Sequence, residues 1–231
     1  MPLLLPKYNT LAAEDLGVFP RFINNLTSIL IRQYLKAFQG GMGVSGQSNL
    51  PSRPCGHILV ANHTSNWDPP LVSSAVWPHP VSYMAKAELF TNPLISWYFR
   101  KTGAFLVNRQ KLETATIRSA KTVLSQPGWF LGMFPEGTRA KTDLPEGVQP
   151  FKRGVSFIAR LTKADVVPIG IVRRKPDPIT GKLKRPAAWV QIGAPIITNG
   201  MDNEDEIQQA VFDAIRLCVA EARKNLGMAP E

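Results

Sequence analysis

His57-Ile58-Leu59-Val60-Ala61-Asn62-His63-Thr64-Ser65-Asn66-Trp67-Asp68-Pro69-Pro70 runs an apolar segment, a polar turn and a helix start together without a break. The unbroken apolar run His57–Ala61 suits a strand buried within a sheet. Two prolines then fall where a helix begins, because the first turn has no use for their missing N–H groups. Asp68, directly before them, is the expected N-cap. The chain must turn between His63 and Asp68, so their side chains can meet.

The same alternation continues on both sides of this stretch. Strands are expected at Met42–Ser45, 103–108, 129–134, 166–172 and Ala188–Ile192, and helices at 69–76, 112–125 and 153–162. The clearest helix is 204–226. Ile207, Val211, Ile215, Cys218, Val219, Ala222 and Leu226 share one face, acids crowd its start, and Arg223, Lys224 and Gly227 end it. Residues 41–56, rich in Gly, Ser and Pro, are otherwise loop. Alternating strands and helices predict an α/β fold, a single domain with a largely parallel mixed sheet flanked by helices. A length of 231 residues suits one such well-buried domain.

Ahead of it, residues 20–38 predict an amphipathic helix. Phe22, Ile23, Leu26, Ile29, Leu30, Tyr34, Leu35 and Phe38 form a stripe, with Asn25, Ser28, Arg32 and Lys36 mostly opposite. Such a stripe serves equally a helix lying in a membrane interface and one packed on a core. The expected division is therefore an amphipathic, membrane-interfacial segment over 1–40 and the main domain over 41–231.

Bulk composition narrows the partners. A net charge of +10 favours an anionic one: nucleic acid, a membrane surface or a phosphorylated molecule. No nucleic-acid motif or aromatic-basic strand pattern supports the first. Cys55 and Cys218, far apart, make neither a disulfide framework nor a metal cluster and fit a reducing compartment. No run of apolar residues is long enough to span a bilayer, and the Met1 to Pro6 segment lacks a signal-peptide core. The expected place is the cytoplasmic side of a membrane, held peripherally or monotopically.

Within the opening stretch, an ionised Asp68 can accept a hydrogen bond from one ring nitrogen of His63 and leave the other as a general base. A thiol nucleophile is a poor competitor. Cys55 and His63 lie at opposite ends of the same strand, about 25 Å apart if extended, and Cys218 belongs to an apolar helix face.

Phe134-Pro135-Glu136-Gly137-Thr138-Arg139 follows another strand. Gly137 permits a tight turn, Thr138 and Arg139 present donors suited to a phosphate, and Glu136 can orient Arg139 or accept from a substrate hydroxyl. Gly103-Ala104-Phe105-Leu106-Val107-Asn108-Arg109 ends in a second arginine. Lys86 is a further donor, and Lys152-Arg153-Gly154 place charge just before a helix start, where backbone N–H groups favour anions. The cations between Arg173 and Arg185 read as a solvated loop.

In combination, the chain resembles the glycerophospholipid acyltransferase family, the 1-acylglycerol-3-phosphate acyltransferases and their relatives. The blocks that carry the resemblance are His63-x4-Asp68, Gly103 to Arg109, Phe134 to Arg139 and Val167-Pro168-Ile169-Gly170, in that order within residues 44–195. The resemblance implies a glycerol-3-phosphate acyltransferase-like fold, with residues 41–231 as the acyltransferase domain. It implies His63 and Asp68 as a catalytic dyad that deprotonates an acceptor hydroxyl for direct attack on a thioester. Lys86 would stand near the developing oxyanion. Arg109, Glu136, Gly137, Thr138 and Arg139 would hold the glycerol phosphate of the acceptor, and Pro168 would serve in positioning. The implied partners are a lysophospholipid acceptor, acyl-CoA or acyl-carrier protein as donor, and an anionic membrane surface. No metal and no bound cofactor are implied. The acceptor expected is 1-acylglycerol-3-phosphate, giving phosphatidic acid. The same chemistry on another lysolipid or on a hydroxylated or aminated lipid is the alternative, with a catalytically silent lipid-binding relative beyond it.

Overall fold

The computed structural model describes residues 10–38, 40–86, 90, 92–107, 113–139, 148–201 and 203–228, without the side chains of Phe38 and Lys86. In chain order the elements are α1 (Val18–Phe38), β1 (Met42–Ser45), β2 (His57–Ala61), α2 (Asp68–Ala75), β3 (Val81–Lys86) and α3 (Pro93–Lys101). Then follow β4 (Phe105–Val107), α4 (Thr114–Ser125), β5 (Phe130–Met133), α5 (Gly154–Thr162), β6 (Asp165–Arg173), β7 (Ala188–Ile192) and α6 (Glu204–Asn225). The strands form one seven-stranded sheet in the order β1-β7-β6-β2-β5-β3-β4. Every neighbouring pair is parallel except β6 and β7. The expected mixed, largely parallel sheet is the one observed.

β2 lies at its centre, between β6 and β5. Its residues alternate between two cores. Ile58 and Val60 join α4, α5 and α6 on one face, while Leu59 and Ala61 join α2 and Leu35 of α1 on the other. Burial on both faces is why this strand reads as an unbroken apolar run rather than an alternating one.

Two elements, β3 and α3, lie outside the sequence-based expectation. β3 mixes Ser82, Tyr83 and Lys86 with its apolar residues. In α3 the large apolar residues Leu94, Ile95 and Trp97 are exposed while Phe99 packs against Phe90 and Leu106, so its apolar residues are split between faces. Its start was nevertheless written in Asn92-Pro93: the Asn92 side chain accepts from the N–H groups of Leu94 and Ile95 at 3.0 and 3.2 Å.

α1 packs across α2 and α3, with much of its apolar stripe turned away from them. Its buried side chains include Asn24 and Ser28. The Asn24 amide donates to the carbonyls of Val81 and Thr102, both at 3.0 Å, tying the helix to β3 and to the end of α3. Phe22 and Leu30, on the apolar stripe, are 58% and 59% exposed, and Leu94 and Trp97 of the adjoining α3 are exposed as well. Among the described residues, no helix is long and apolar enough to cross a membrane.

Gly170 of β6, in the Val167-Pro168-Ile169-Gly170 block, has a packing role. A Cβ there would stand 2.3 to 2.6 Å from backbone atoms of Cys218 and Val219 in α6, which cannot swing aside as a side-chain tip can. Gly170→Ala is therefore expected to lower stability by about 3 kcal/mol, the upper part of the usual cost of overpacking. A urea midpoint unchanged from the parent would contradict this.

Candidate active site

The His63 turn begins where β2 runs out. Asn62 is buried, its amide donates to the Ile171 carbonyl at 3.0 Å, and its Oδ1 accepts from the Ile171 N–H at 2.7 Å. The side chain thus imitates a further step of β-pairing with β6, just as the backbone of β2 departs. The backbone N–H of His63 then donates to Glu136 Oε1 at 2.9 Å.

Asp68 does not act as the expected cap of its own helix; it occupies the first helical position, after Trp67. The following prolines explain this. An N-cap side chain bonds to N–H groups two or three residues ahead, but Pro69 and Pro70 have none and Leu71 N–H already serves the Trp67 carbonyl. The fully buried carboxylate instead turns back. Its Oδ2 accepts from Thr64 N–H and Ser65 N–H, each at 2.6 Å, and meets His63 Nδ1 at 2.9 Å. A carboxylate that already accepts from two backbone donors requires Nδ1 to be the protonated ring nitrogen, which leaves Nε2 with its lone pair free.

The imidazole lies over Phe134 with ring centroids 4.5 Å apart, and Phe134 in turn stacks on Tyr83 at 6.0 Å. Tyr83 O–H donates to the Pro69 carbonyl at 2.9 Å and shares a hydrogen bond with Ser73 Oγ. Burial raises its pKa, opposed by the Ser73 hydrogen bond, so it stays a neutral donor. The Tyr83 ring can lie where it does only because position 132 is glycine: a Cβ there would be 2.4 Å from the ring.

The Phe134 to Arg139 block forms the facing turn, closed by Gly137 N–H on the Phe134 carbonyl at 3.1 Å with Gly137 at φ +70°. Glu136 is buried, and its partners are the His63 N–H and, at 2.6 Å, Gln149 Nε2. It thus orients His63, and the expected pairing with Arg139 gives way to this one. Thr138 and Arg139 are exposed, and the Thr138 carbonyl accepts from Gln149. Lys86 ends β3, beside Val107 of β4, and Arg109 lies outside the described residues. Pro168 sits mid-strand in β6, paired with Val60, and packs against Gly193 rather than at the turn.

Two cavities meet at this point, sharing Met84 and Phe134 as a wall. One, of about 440 Å³, runs from His63 past Tyr83 and Ile31 toward Tyr98 and Phe99, between α1, α2 and α3. The other, of about 290 Å³, has an apolar floor of Val107, Met133, Val155 and Ile158 and a rim formed by Gly137 and Lys152. Lys152 stands, as the sequence suggests, just before a helix start, but its closest engagement is with the Phe134 to Arg139 turn. In the structure its N–H donates to the Pro135 carbonyl at 2.9 Å, and its stem lies across Gly137, where a Cβ would be 3.0 Å from Lys152 Cε. Its neighbour Arg153 also lines this cavity and pairs with Asp205 at 3.1 Å. Gln149 and Lys152 are the residues sequence reasoning passed over or undervalued; the glycine at 137 was the available sign that something must approach closely.

Burial raises the Glu136 pKa above the ordinary 4.5, against the pull of hydrogen bonds from His63 and Gln149. The folded state therefore holds this proton more tightly than the unfolded chain. The associated stability is full at low pH and declines as pH rises past 4.5. Glu136→Gln has no charge to bury, so its urea midpoint relative to the parent is expected to improve as pH is raised through that region. Parallel pH profiles for the two proteins would refute this.

Known proteins resemble this chain in sequence and in fold. The family model described as Acyltransferase matches residues 42–172, more than half of the chain. The 1-acyl-sn-glycerol-3-phosphate acyltransferase of Streptococcus pneumoniae is 29% identical over 188 residues, covering 81% of this chain and 66% of that protein. The enzyme of the same name from Bacillus subtilis is 33% identical over 132 residues, covering 57% of this chain and 63% of that protein. The chain thus spans slightly under two thirds of the length of these relatives. The crystal structure of the 1-acyl-sn-glycerophosphate (LPA) acyltransferase from Thermotoga maritima has the same fold, with a TM-score of 0.71, 24% identity and coverage of 87% of this chain and 80% of that one. Because the Acyltransferase model matches more than half of its length, this chain belongs to the acyltransferase family.

Proposed function

We propose that the protein transfers a fatty acyl group from acyl-CoA or acyl-carrier protein to the free hydroxyl of a lysophospholipid, 1-acylglycerol-3-phosphate, forming phosphatidic acid. The observation that carries this is a histidine base, fixed by a buried carboxylate, beside two cavities of different character. His63 Nε2 takes the proton of the acceptor hydroxyl as its oxygen attacks the thioester carbonyl. Asp68 stabilises the imidazolium so formed. As the tetrahedral adduct collapses, the C–S bond breaks, and the imidazolium returns the proton to the departing thiolate. Lys86, at the end of β3, supplies the positive charge for the oxyanion. The chemistry calls for no metal and no bound cofactor.

The smaller cavity, rimmed by Lys152 and Gly137, suits the acceptor's glycerol phosphate, a role for which the family resemblance also names Arg109, Thr138 and Arg139. The larger, mostly apolar one suits an acyl chain. Pro168 contributes by holding β6, and through it Asn62, rather than by touching substrate. Thiol release from oleoyl-CoA, with and without lysophosphatidic acid in mixed micelles, tests the whole reading. Acceptor-dependent release is expected for the parent and should vanish in His63→Ala; full activity in that variant sinks the mechanism. In the same assay Lys152→Met is expected to raise KM for the acceptor about tenfold, the loss of one charged contact. An unchanged KM would remove Lys152 from the phosphate site.

The exposed apolar face of α1 and α3, on a chain with ten excess positive charges, supports seating on the anionic surface of a membrane from its cytoplasmic side. Phe22→Asp/Leu30→Asp changes only exposed positions, so the fold should persist while flotation with anionic liposomes is lost. Flotation equal to the parent's would count against this attachment.

A further inference from the structure

β6 touches the His63 turn on both sides of the histidine. Before it, Asn62 is clamped to the Ile171 backbone. After it, Arg173, two residues along β6 and on the same face as Ile171, donates from Nη1 to Ser65 Oγ at 2.7 Å. Ser65 is no bystander. Its backbone N–H is one of the two that Asp68 Oδ2 accepts, and its hydroxyl also accepts from Trp67 N–H at 3.2 Å, just before α2 begins. A guanidinium donor gives this contact the strength of a charge-assisted hydrogen bond. The half-buried setting of Arg173 and Ser65 shields it from the full screening that weakens surface contacts.

Resting on the acyl-transfer reading, we propose that Arg173 is a positioning residue for the His63–Asp68 pair, acting through the Ser65 hydroxyl. The path is short and continuous: Arg173 to Ser65 Oγ, Ser65 N–H to Asp68 Oδ2, Asp68 Oδ2 to His63 Nδ1. Asn62 and Glu136 fix the turn as far as His63, and beyond it the Thr64 and Ser65 donors meet only Asp68, so Arg173 adds the tie from Ser65 to the sheet. With Arg173 the turn is pinned at both ends, so the carboxylate and the imidazole are aimed by the same strand. Arg173 belongs to none of the four blocks that carry the family resemblance, and its sequence neighbourhood reads as a basic loop.

The test uses the full chain, with oleoyl-CoA and lysophosphatidic acid in mixed micelles, for Arg173→Met, Ser65→Ala, the double variant and Arg173→Lys. Each single change is expected to lower kcat about tenfold to a hundredfold, the sensitivity of a reacting pair to small misplacement. KM for both substrates should hold, and the melting temperature should stay near the parent's. The double variant should be no slower than the slower single one, because both changes break the same link. Arg173→Lys, which keeps a charged donor, should recover part of kcat. Parental kcat in Arg173→Met overturns the proposal. So does a raised KM for oleoyl-CoA at unchanged kcat, which would make Arg173 a donor-binding residue, and so do additive losses. Should Arg173→Met fail to fold, Ser65→Ala decides alone, since parental kcat there also overturns the proposal. His63→Ala run in parallel keeps the two ideas apart: activity surviving in that variant removes the acyl-transfer reading itself, whatever Arg173 does.

Discussion

One carboxylate oxygen organises this molecule's chemistry. Asp68 Oδ2 gathers the Thr64 N–H, the Ser65 N–H and His63 Nδ1. A buried carboxylate is costly unless its lone pairs are used, and here those of Oδ2 are used in shaping the turn that presents His63, while Oδ1 has no hydrogen-bond partner among the described residues. The two prolines that follow make this possible by offering no helix N–H groups for Asp68 to cap. What is ordinarily a helix-starting device thus becomes a histidine-aiming one. Asn62 on one flank and Glu136 beneath the His63 backbone fix where that turn sits on the sheet.

The aromatic stack extends the same constraint to the substrate spaces. Phe134 carries the imidazole on one side and forms a wall of both cavities, and Tyr83 braces Phe134 while bonding the Pro69 carbonyl at the start of α2. Gly132 makes room for Tyr83, and Gly137 makes room for Lys152. Both glycines therefore act through what they allow to approach, one on the apolar side of the site and one on its cationic rim.

What could be read in the sequence was mostly what is local. The His63–Asp68 pairing spans one turn, so the strand before it and the prolines after it were enough to foresee the contact. The parallel sheet was legible because strands buried on both faces leave unbroken apolar runs. Less local features were hidden. Asn62 meets Ile171, and Lys152 meets Gly137, only through the fold. The antiparallel pairing of β6 with β7 leaves no mark in either strand's composition. Asp68 was expected as a cap because position alone suggested it; the lack of N–H donors ahead was the deciding detail. For α1 the periodicity identified an apolar face but not its direction, since an amphipathic pattern states which residues belong together and not which neighbour they meet.

That direction has a material consequence. α1 is held by the Asn24 amide, by the Ser74 hydroxyl on the Ser28 carbonyl and by Leu35 in the core, so it stays docked without the rest of its apolar stripe. Phe22, Leu26, Leu30, Leu94 and Trp97 are left facing outward. In plain aqueous buffer that surface has only water or another copy of the molecule to meet. Concentration and the choice of amphiphile, more than the integrity of the fold, will then govern whether a purified sample remains monodisperse.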